Sequence, residues 1–594
     1  MTMVNLRRVA CLLLSPALVF AASFGDAQES GGNAVQSASS SPEAFCTAEN
    51  VQNIASEIKT TVVTVKAIPN GPFKTATHYV GATSEVPAFC QVTGSFVTNP
   101  ITGKTANFLA TFPVAWNDKY LQLGCSGICG QFYVSDPATA AVTVTSQGFP
   151  GQSIAKGYAI FATDEGHVGM TTNWAVKGPG QVDQDAIIDL YYRADKVLAQ
   201  TGKEFATTFY AAMKGAPRKI VRSYFNGCSE GGRNAFVAAA HFPEEFDGII
   251  AGSPGNYVGL PFAISGIAAA AAGAPDSKIS PALAALIDPI VKKQCDGLDG
   301  VTDGLIQNPA ACDFRPERDL PHCQDDKSDN SCFTAAQIKT VSLLTSAVTD
   351  ERGNLVQPGF SISELQTTLA TAALTDAILK LFVHQNDPNF TPSKIFTFED
   401  GDGKMQGFHT VVPSSEVQRA KETLWMGTGE FPDATSKLIK LNRKFLIWNN
   451  LSDGTLVPYT AVNYYKKLAK LNGGYPKVQK NVRLFLLPGT DHCSITGIGP
   501  NSFDALSAME NWVEKGVAPD TLKASVADRQ FTPGAPKSPA LKTPNWTMPL
   551  CKFPEMARYR GKGDVKDAAN WFCPADDARM LKVGESGRRA GVIE

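Results

Sequence analysis

The stretch Arg218–Pro254, RKIVRSYFNGCSEGGRNAFVAAAHFPEEFDGIIAGSP, decides how the rest of the chain is read. Its run Lys219–Phe225 predicts a strand, and the small residues Gly227–Gly231 predict a sharp turn. Arg233–His241 then predicts a helix and Phe246–Gly252 a second strand, which together make a parallel strand–helix–strand unit. At its centre Gly227-Cys-Ser-Glu-Gly231 reads G-x-S-x-G. Between a strand and a helix, that pattern holds Ser229 on a strained turn, and the flanking glycines let neighbouring backbone come close. The helix behind it aims unpaired amides at developing negative charge.

A serine hydroxyl needs a base, and the base needs a carboxylate to fix its tautomer and stabilise its charge. In sheets built this way the chain order is serine, acid, histidine. Two later strand-and-turn units fit that order, RKFLIWNNLSDGTLVP (443–458) and VRLFLLPGTDHCS (482–494). Asp453 follows the first strand and His492 the second. Asp491 is the weaker acid candidate, because adjacent residues do not easily present a carboxylate to a neighbour's imidazole. The plainer readings are a turn aspartate in Ser-Asp-Gly and a capped loop histidine.

A cysteine beside a presumed nucleophile would compete with it. Cys228 precedes Ser229 and Cys493 follows His492, so a disulfide between them would tie two catalytic loops together and leave no free thiol. Its value would be preorganisation across a long separation.

Working outward, 594 residues exceed what one core sustains, so a large catalytic domain with an inserted or appended one is expected. Residues 28–253 read as the first part of the sheet domain. Strand-like runs there are TTVVTVKAI, FCQVTGSFV, NFLATFPV, KYLQLGC and GYAIFATD, and the helical run DAIIDLYYRADKVLAQTG ends at Gly202. Residues 254–440 lose the strand–helix rhythm and read as an inserted lid. GIAAAAAGA (266–274) within it is too short to span a membrane and reads as a packed helix or loop. Residues 441–594 resume the sheet domain and end in a Pro- and Lys-rich tail. Arg7 and Arg8 before the apolar run Val9–Ala22 predict a signal peptide over residues 1–27. A net charge of −2 without charge blocks makes nucleic acid and anionic membrane poor partners. Once the signal is removed, no membrane association is expected, and the location is secreted or periplasmic. Assembly state is left open.

Of thirteen cysteines, Cys11 leaves with the signal, and an even set in an exported protein is read as disulfides. Zinc at Cys125-x3-Cys129 is the rival. QCDGLDGVTDGLIQNPAACDF (294–314) places Asp296, Asp299 and Asp303 among glycines, which suits a hard cation, calcium above magnesium. No Glu stands at the twelfth position, so this is not an EF-hand. Cys295 and Cys312 bracket the loop. Cys551–Cys573 would staple the tail, and Cys46–Cys90, Cys125–Cys129 and Cys323–Cys332 are taken as the remaining pairs.

Cys228-Ser229, Asp453 and His492-Cys493 together resemble the tannase and feruloyl esterase family, which also includes enzymes hydrolysing mono(2-hydroxyethyl) terephthalate. The resemblance runs from about Cys46 to Cys573. It implies an α/β-hydrolase with a large lid, secretion, and cleavage of aromatic-acid esters of galloyl or feruloyl type through an acyl-enzyme. A terephthalate monoester hydrolase is the alternative, and a peptidase or lactonase shares the fold. A catalytically inert binding module for aromatic esters is the rival of another class.

The resemblance also implies an oxyanion site from the Glu230 amide and an amide of the loop LGCSGICGQF (123–132), where Gly127 matches best. Cys125 and Cys129 in that loop depart from the family pattern. A structural calcium is implied on Asp296, Asp299 and Asp303 with the carbonyls of Val301 and Leu305. In LFVHQNDPNFTPSKIFTFED (381–400), Phe382, His384, Phe390, Phe396 and Phe398 would stack on a substrate ring or else form the lid's own core. A substrate carboxylate would need a cation, for which Lys394, Lys404, Arg419 and Lys421 are candidates.

Overall fold

A nine-stranded mixed sheet carries the fold in a computed structural model of the protein. It describes residues 42–74, 83–131, 150–327, 330–363, 365, 372–401, 407–494, 497–526, 546–574 and 583–593. The expected signal, Lys404 and residues 527–545 of the tail lie outside these.

The strands are β1 (Thr61–Ile68), β2 (Phe89–Asn99), β3 (Lys104–Pro113), β4 (Lys119–Leu123), β5 (Ala159–Thr163), β6 (Arg222–Ser229), β7 (Gly248–Pro254), β8 (Lys444–Asn450) and β9 (Val482–Leu487). Their spatial order is β1-β2-β3-β5-β4-β6-β7-β8-β9. The pairings β1·β2, β2·β3 and β3·β5 are antiparallel, and every pairing from β5·β4 to β8·β9 is parallel.

The parallel strands are buried along nearly their whole length because both faces of the sheet are covered. In β8, Phe445 and Ile447 join one core cluster, while Leu446 and Trp448 join another. The first cluster includes residues of helices α1 (Ala194–Lys214), α2 (Glu230–His241) and α4 (Tyr459–Leu471). The second includes Leu506, Met509 and Trp512 of α5 (Ala505–Lys515).

Boundaries differ from the sequence reading by a few residues. β6 starts at Arg222 instead of Lys219 and runs into Ser229, and α2 begins at once at Glu230, three residues before Arg233. β7 is likewise shifted onto Gly248–Pro254. The turn is therefore Ser229 itself, with φ 65° and ψ −122°. The glycines serve proximity: a Cβ on Gly227 would lie 2.4 Å from the Gly231 carbonyl oxygen. Gly202 does not end α1, which continues to Lys214 and is capped by Gly215 at φ 65°. A Cβ on Gly202 would stand 2.8 Å from the Tyr120 hydroxyl, so close packing explains that residue too.

Among the described residues between β7 and β8, none joins the large sheet. They form α3 (Leu260–Gly273), which contains most of GIAAAAAGA, further helices at Pro281–Cys295, Ala335–Thr345 and Ser414–Leu424, and a four-stranded sheet. Six disulfides join Cys46–Cys90, Cys125–Cys129, Cys228–Cys493, Cys295–Cys312, Cys323–Cys332 and Cys551–Cys573, the pairs expected. No helix among the described residues is long and apolar enough to cross a membrane.

Candidate active site

Ser229, Asp453 and His492 come together at the carboxyl ends of β6, β8 and β9. His492 Nδ1 lies 2.8 Å from Asp453 Oδ2, and Nε2 lies 2.8 Å from Ser229 Oγ. The carboxylate favours the proton on Nδ1, which leaves Nε2 to accept from the serine hydroxyl. Asp453 Oδ1 accepts from the amides of Thr455 and Leu456 at 2.9 and 2.8 Å, so the carboxylate is fixed on both oxygens. Burial alone would lower the His492 pKa. Asp453, with Asp491 adding, outweighs it and holds the imidazole above its ordinary 6.5.

The Cys228–Cys493 bridge joins the residue before Ser229 to the residue after His492. Asn450 at the end of β8 adds a polar tie that the sequence reading missed. Its Nδ2 donates to Thr490 Oγ1 and Ser494 Oγ at 2.6 and 2.7 Å, and its Oδ1 accepts from Ser253 Oγ at 2.7 Å. The ends of β7 and β8 and the His492 loop are thereby locked to one another.

The loop Gly124–Gly130 lies against the start of α2, where Gly231 N donates to Cys125 O at 2.8 Å. His167 Nε2 meets Ile128 O at 2.8 Å, and Gly130 N donates to Asp164 O at 3.1 Å, so the loop is held from both sides. Gly127 takes φ 66°, a backbone that favours glycine. Glu230 is the first residue of α2, whose opening amides have no partner within the helix.

The chain as a whole is similar to known proteins. Residues 90–574 match the family model described as tannase and feruloyl esterase. The chain belongs to that family. It is 27% identical to the mono(2-hydroxyethyl) terephthalate hydrolase of Piscinibacter sakaiensis, covering 87% of this chain and 89% of that protein. It is 28% identical to a probable feruloyl esterase B-1 of Aspergillus terreus, covering 70% and 76% respectively. The crystal structure of feruloyl esterase B from Aspergillus oryzae aligns with a TM-score of 0.67 at 22% identity, over 88% of this chain and 100% of that one. The fold is thus the α/β-hydrolase fold, and this member of the tannase and feruloyl esterase family is a carboxylic ester hydrolase.

Other candidates of the sequence reading fare differently in this esterase. Zinc on Cys125 and Cys129 is excluded, because both sulfurs are consumed in their mutual bridge. The five aromatic candidates pack on their neighbours. Phe382 lies near Trp174, Tyr191 and Tyr257, with ring centroids 6.1 to 6.3 Å apart. Phe396 is buried in the same cluster, Phe398 stacks on Phe408, and His384 stacks on Phe390 while its Nε2 meets Glu416 Oε2 at 2.7 Å. Phe382 and Phe396 are thus core residues, while His384, Phe390 and Phe398 are half-buried. Lys394, Arg419 and Lys421 are exposed.

In the Asp-rich loop, Asp296 accepts from the amides of Asp303 and Gly304 at 3.2 and 2.8 Å. Asp299 Oδ1 and Asp303 Oδ1 each accept one amide, from Val301 and Leu305. Their Oδ2 atoms are buried and have no hydrogen-bond partner among the described residues. Burial, with the neighbouring carboxylates adding, pushes Asp299 up to about 8 and Asp303 up to about 6. Two buried carboxylate oxygens without donors fit a hard cation.

Proposed function

We propose that the protein is a secreted or periplasmic serine esterase that cleaves esters of aromatic acids, of galloyl or feruloyl type, through an acyl-enzyme. Ser229 Oγ attacks the ester carbonyl carbon while His492 Nε2 takes its proton, and Asp453 stabilises the imidazolium. The Glu230 amide, with an amide near Gly127, holds the oxyanion. The imidazolium returns its proton to the leaving alcohol, and the ester bond breaks. Water then attacks the acyl carbon while His492 Nε2 takes its proton, the bond to Ser229 Oγ breaks, and the imidazolium returns that proton to Ser229 as the acid leaves.

The observation that carries this reading is the unbroken run from Ser229 Oγ to His492 to Asp453, both links at 2.8 Å. An inert binding module has no use for such a relay. Six disulfides and the expected signal support an oxidising, exported location. Asp296, Asp299 and Asp303, with the Val301 and Leu305 carbonyls, are the residues that would hold a structural calcium ion. Residues 254–440 would act as the lid and select the acyl group.

The named activities of the relatives make a terephthalate monoester the second substrate class. The test is chromatographic product release from methyl gallate, methyl ferulate and mono(2-hydroxyethyl) terephthalate by wild type and Ser229→Ala. Turnover of an aromatic ester that disappears in the variant is expected, and the ester turned over fastest names the acyl class. Turnover surviving Ser229→Ala would overturn the serine mechanism.

A further inference from the structure

Arg233 is fully buried, and its surroundings assign it a task. Its Nε donates to Glu230 Oε1 at 2.7 Å. One terminal nitrogen donates to the carbonyls of Gly427 and Tyr191 at 2.8 and 3.1 Å, the other to that of Leu190 at 2.7 Å. Leu190 and Tyr191 lie in a π-helical turn, Asp189–Arg193, where the wider winding leaves carbonyls available to an outside donor. Tyr257 donates its hydroxyl to the same Glu230 oxygen at 2.6 Å, and the guanidinium lies 4.6 Å from its ring centroid. Glu165 Oε2 stands 3.7 Å from the guanidinium on another side.

Burying such a group is a poor way to gain stability, because desolvation cancels most of the attraction and an apolar replacement often does as well. What the network grips is more telling. The peptide joining Ser229 to Glu230 supplies the amide assigned above to the oxyanion. Its carbonyl, Ser229 O, accepts from Gly255 N at 3.0 Å. Its following side chain is held by Arg233 and by Tyr257, two residues beyond Gly255. The peptide plane is therefore fixed from its carbonyl end and from Glu230.

We infer that Arg233 and Tyr257 are positioning residues for the oxyanion amide of Glu230. Arg233 through Gly427, and Tyr257 by its own place in the chain, also tie its orientation to the segment between β7 and β8. Neither touches the substrate; both act through the Ser229–Glu230 peptide. The inference rests on the proposed roles of Ser229 and the Glu230 amide.

The test compares wild type, Tyr257→Phe and Arg233→Lys by kcat and KM on p-nitrophenyl acetate and by the inhibition constant of phenylboronic acid, which mimics the tetrahedral state on serine. Tyr257→Phe should lower kcat ~10-fold and Arg233→Lys ~100-fold, with KM little changed, because a misaligned donor fails chiefly in the transition state. Boronate affinity should weaken in parallel with kcat. A merely structural role would lower the melting temperature while leaving kcat and boronate affinity of the folded variant intact, and that result overturns the inference. A change confined to KM overturns it as well. Should Arg233→Lys not fold, Tyr257→Phe, which loses one hydroxyl, decides alone. Turnover persisting in Ser229→Ala would instead indict the reading of the site.

Discussion

Two loops of this molecule are closed by disulfides and bring carboxylates into the interior, yet only one of them is complete. Around Cys228–Cys493, Asp453 accepts from His492, Thr455 and Leu456. Within Cys295–Cys312, Asp299 Oδ2 and Asp303 Oδ2 are buried without a donor. An uncompensated buried carboxylate is expensive, so the second loop must take up protons or a cation where the first needs neither. The loops around Ser229 and His492 are thus organised by the chain's own hydrogen bonds, whereas the Asp-rich loop leaves two carboxylate oxygens for a proton or a cation to satisfy.

The sharpest break in this contrast is Asp453→Asn. It should lower kcat by about 10^4 while the melting temperature changes little, because the same shape remains and the wrong imidazole tautomer is favoured. A loss under about tenfold, measured on the preferred ester, would remove Asp453 from its role. Next come the bridges. On the chain-entropy model the link across 265 residues stabilises by roughly 5 kcal/mol and that across 17 by roughly 3 kcal/mol. Cys228→Ser with Cys493→Ser should lose both stability and kcat in denaturant titrations and assays. Cys295→Ser with Cys312→Ser should lose stability and bound calcium while the folded protein keeps its kcat. Equal loss of kcat in the two double variants would erase the distinction between the loops.

Chelation tests the second loop directly. If calcium is held there, its removal at a free concentration about 1,000 times Kd costs about 4 kcal/mol, read as a lower melting temperature in calorimetric scans with and without EDTA. Asp299→Asn should melt at the same temperature in both conditions. A wild type indifferent to EDTA, with no calcium found by elemental analysis, would mean that protons satisfy the loop.

The same contrast explains what could be read in advance. The relay was legible because a strand–turn–helix unit fixes where a nucleophile sits and chain order narrows its partners. The Asp-rich loop was legible because its carboxylates are local in sequence. Asn450, Arg233 and Tyr257 were not, since their meaning lies in contacts such as Asn450 to Ser253, 197 residues apart, and Arg233 to Gly427, 194 apart. No periodicity encodes those. The aromatic run around Phe390 reads alike whether it lines a pocket or fills a core, and the structure divides it: Phe382 and Phe396 are buried, while His384, Phe390 and Phe398 are half-buried. The helix ends differ for a related reason: a glycine marks a turn or a close approach alike, and at Gly202, Gly231 and Gly232 it is close approach.

The finest test concerns proton affinity at the completed site. His492 must be neutral to accept the Ser229 proton, so kcat/KM should fall on the acid side with a midpoint above 6.5, where Asp453 and Asp491 hold it. Asp491 also accepts from Gly454 N at 3.2 Å, a bond an asparagine oxygen can keep. Asp491→Asn should therefore preserve the loop, remove one negative charge and move the acid limb to lower pH. Stability should respond in the opposite sense. A histidine whose folded pKa is raised contributes stability that is full below its unfolded value of 6.5 and is lost as pH rises through the folded value. Across one pH window, then, wild type should gain activity as it loses this part of its stability, and both trends should weaken in Asp491→Asn. An acid limb that stays put or moves upward in the variant would show that Asp491 does not act on the imidazole.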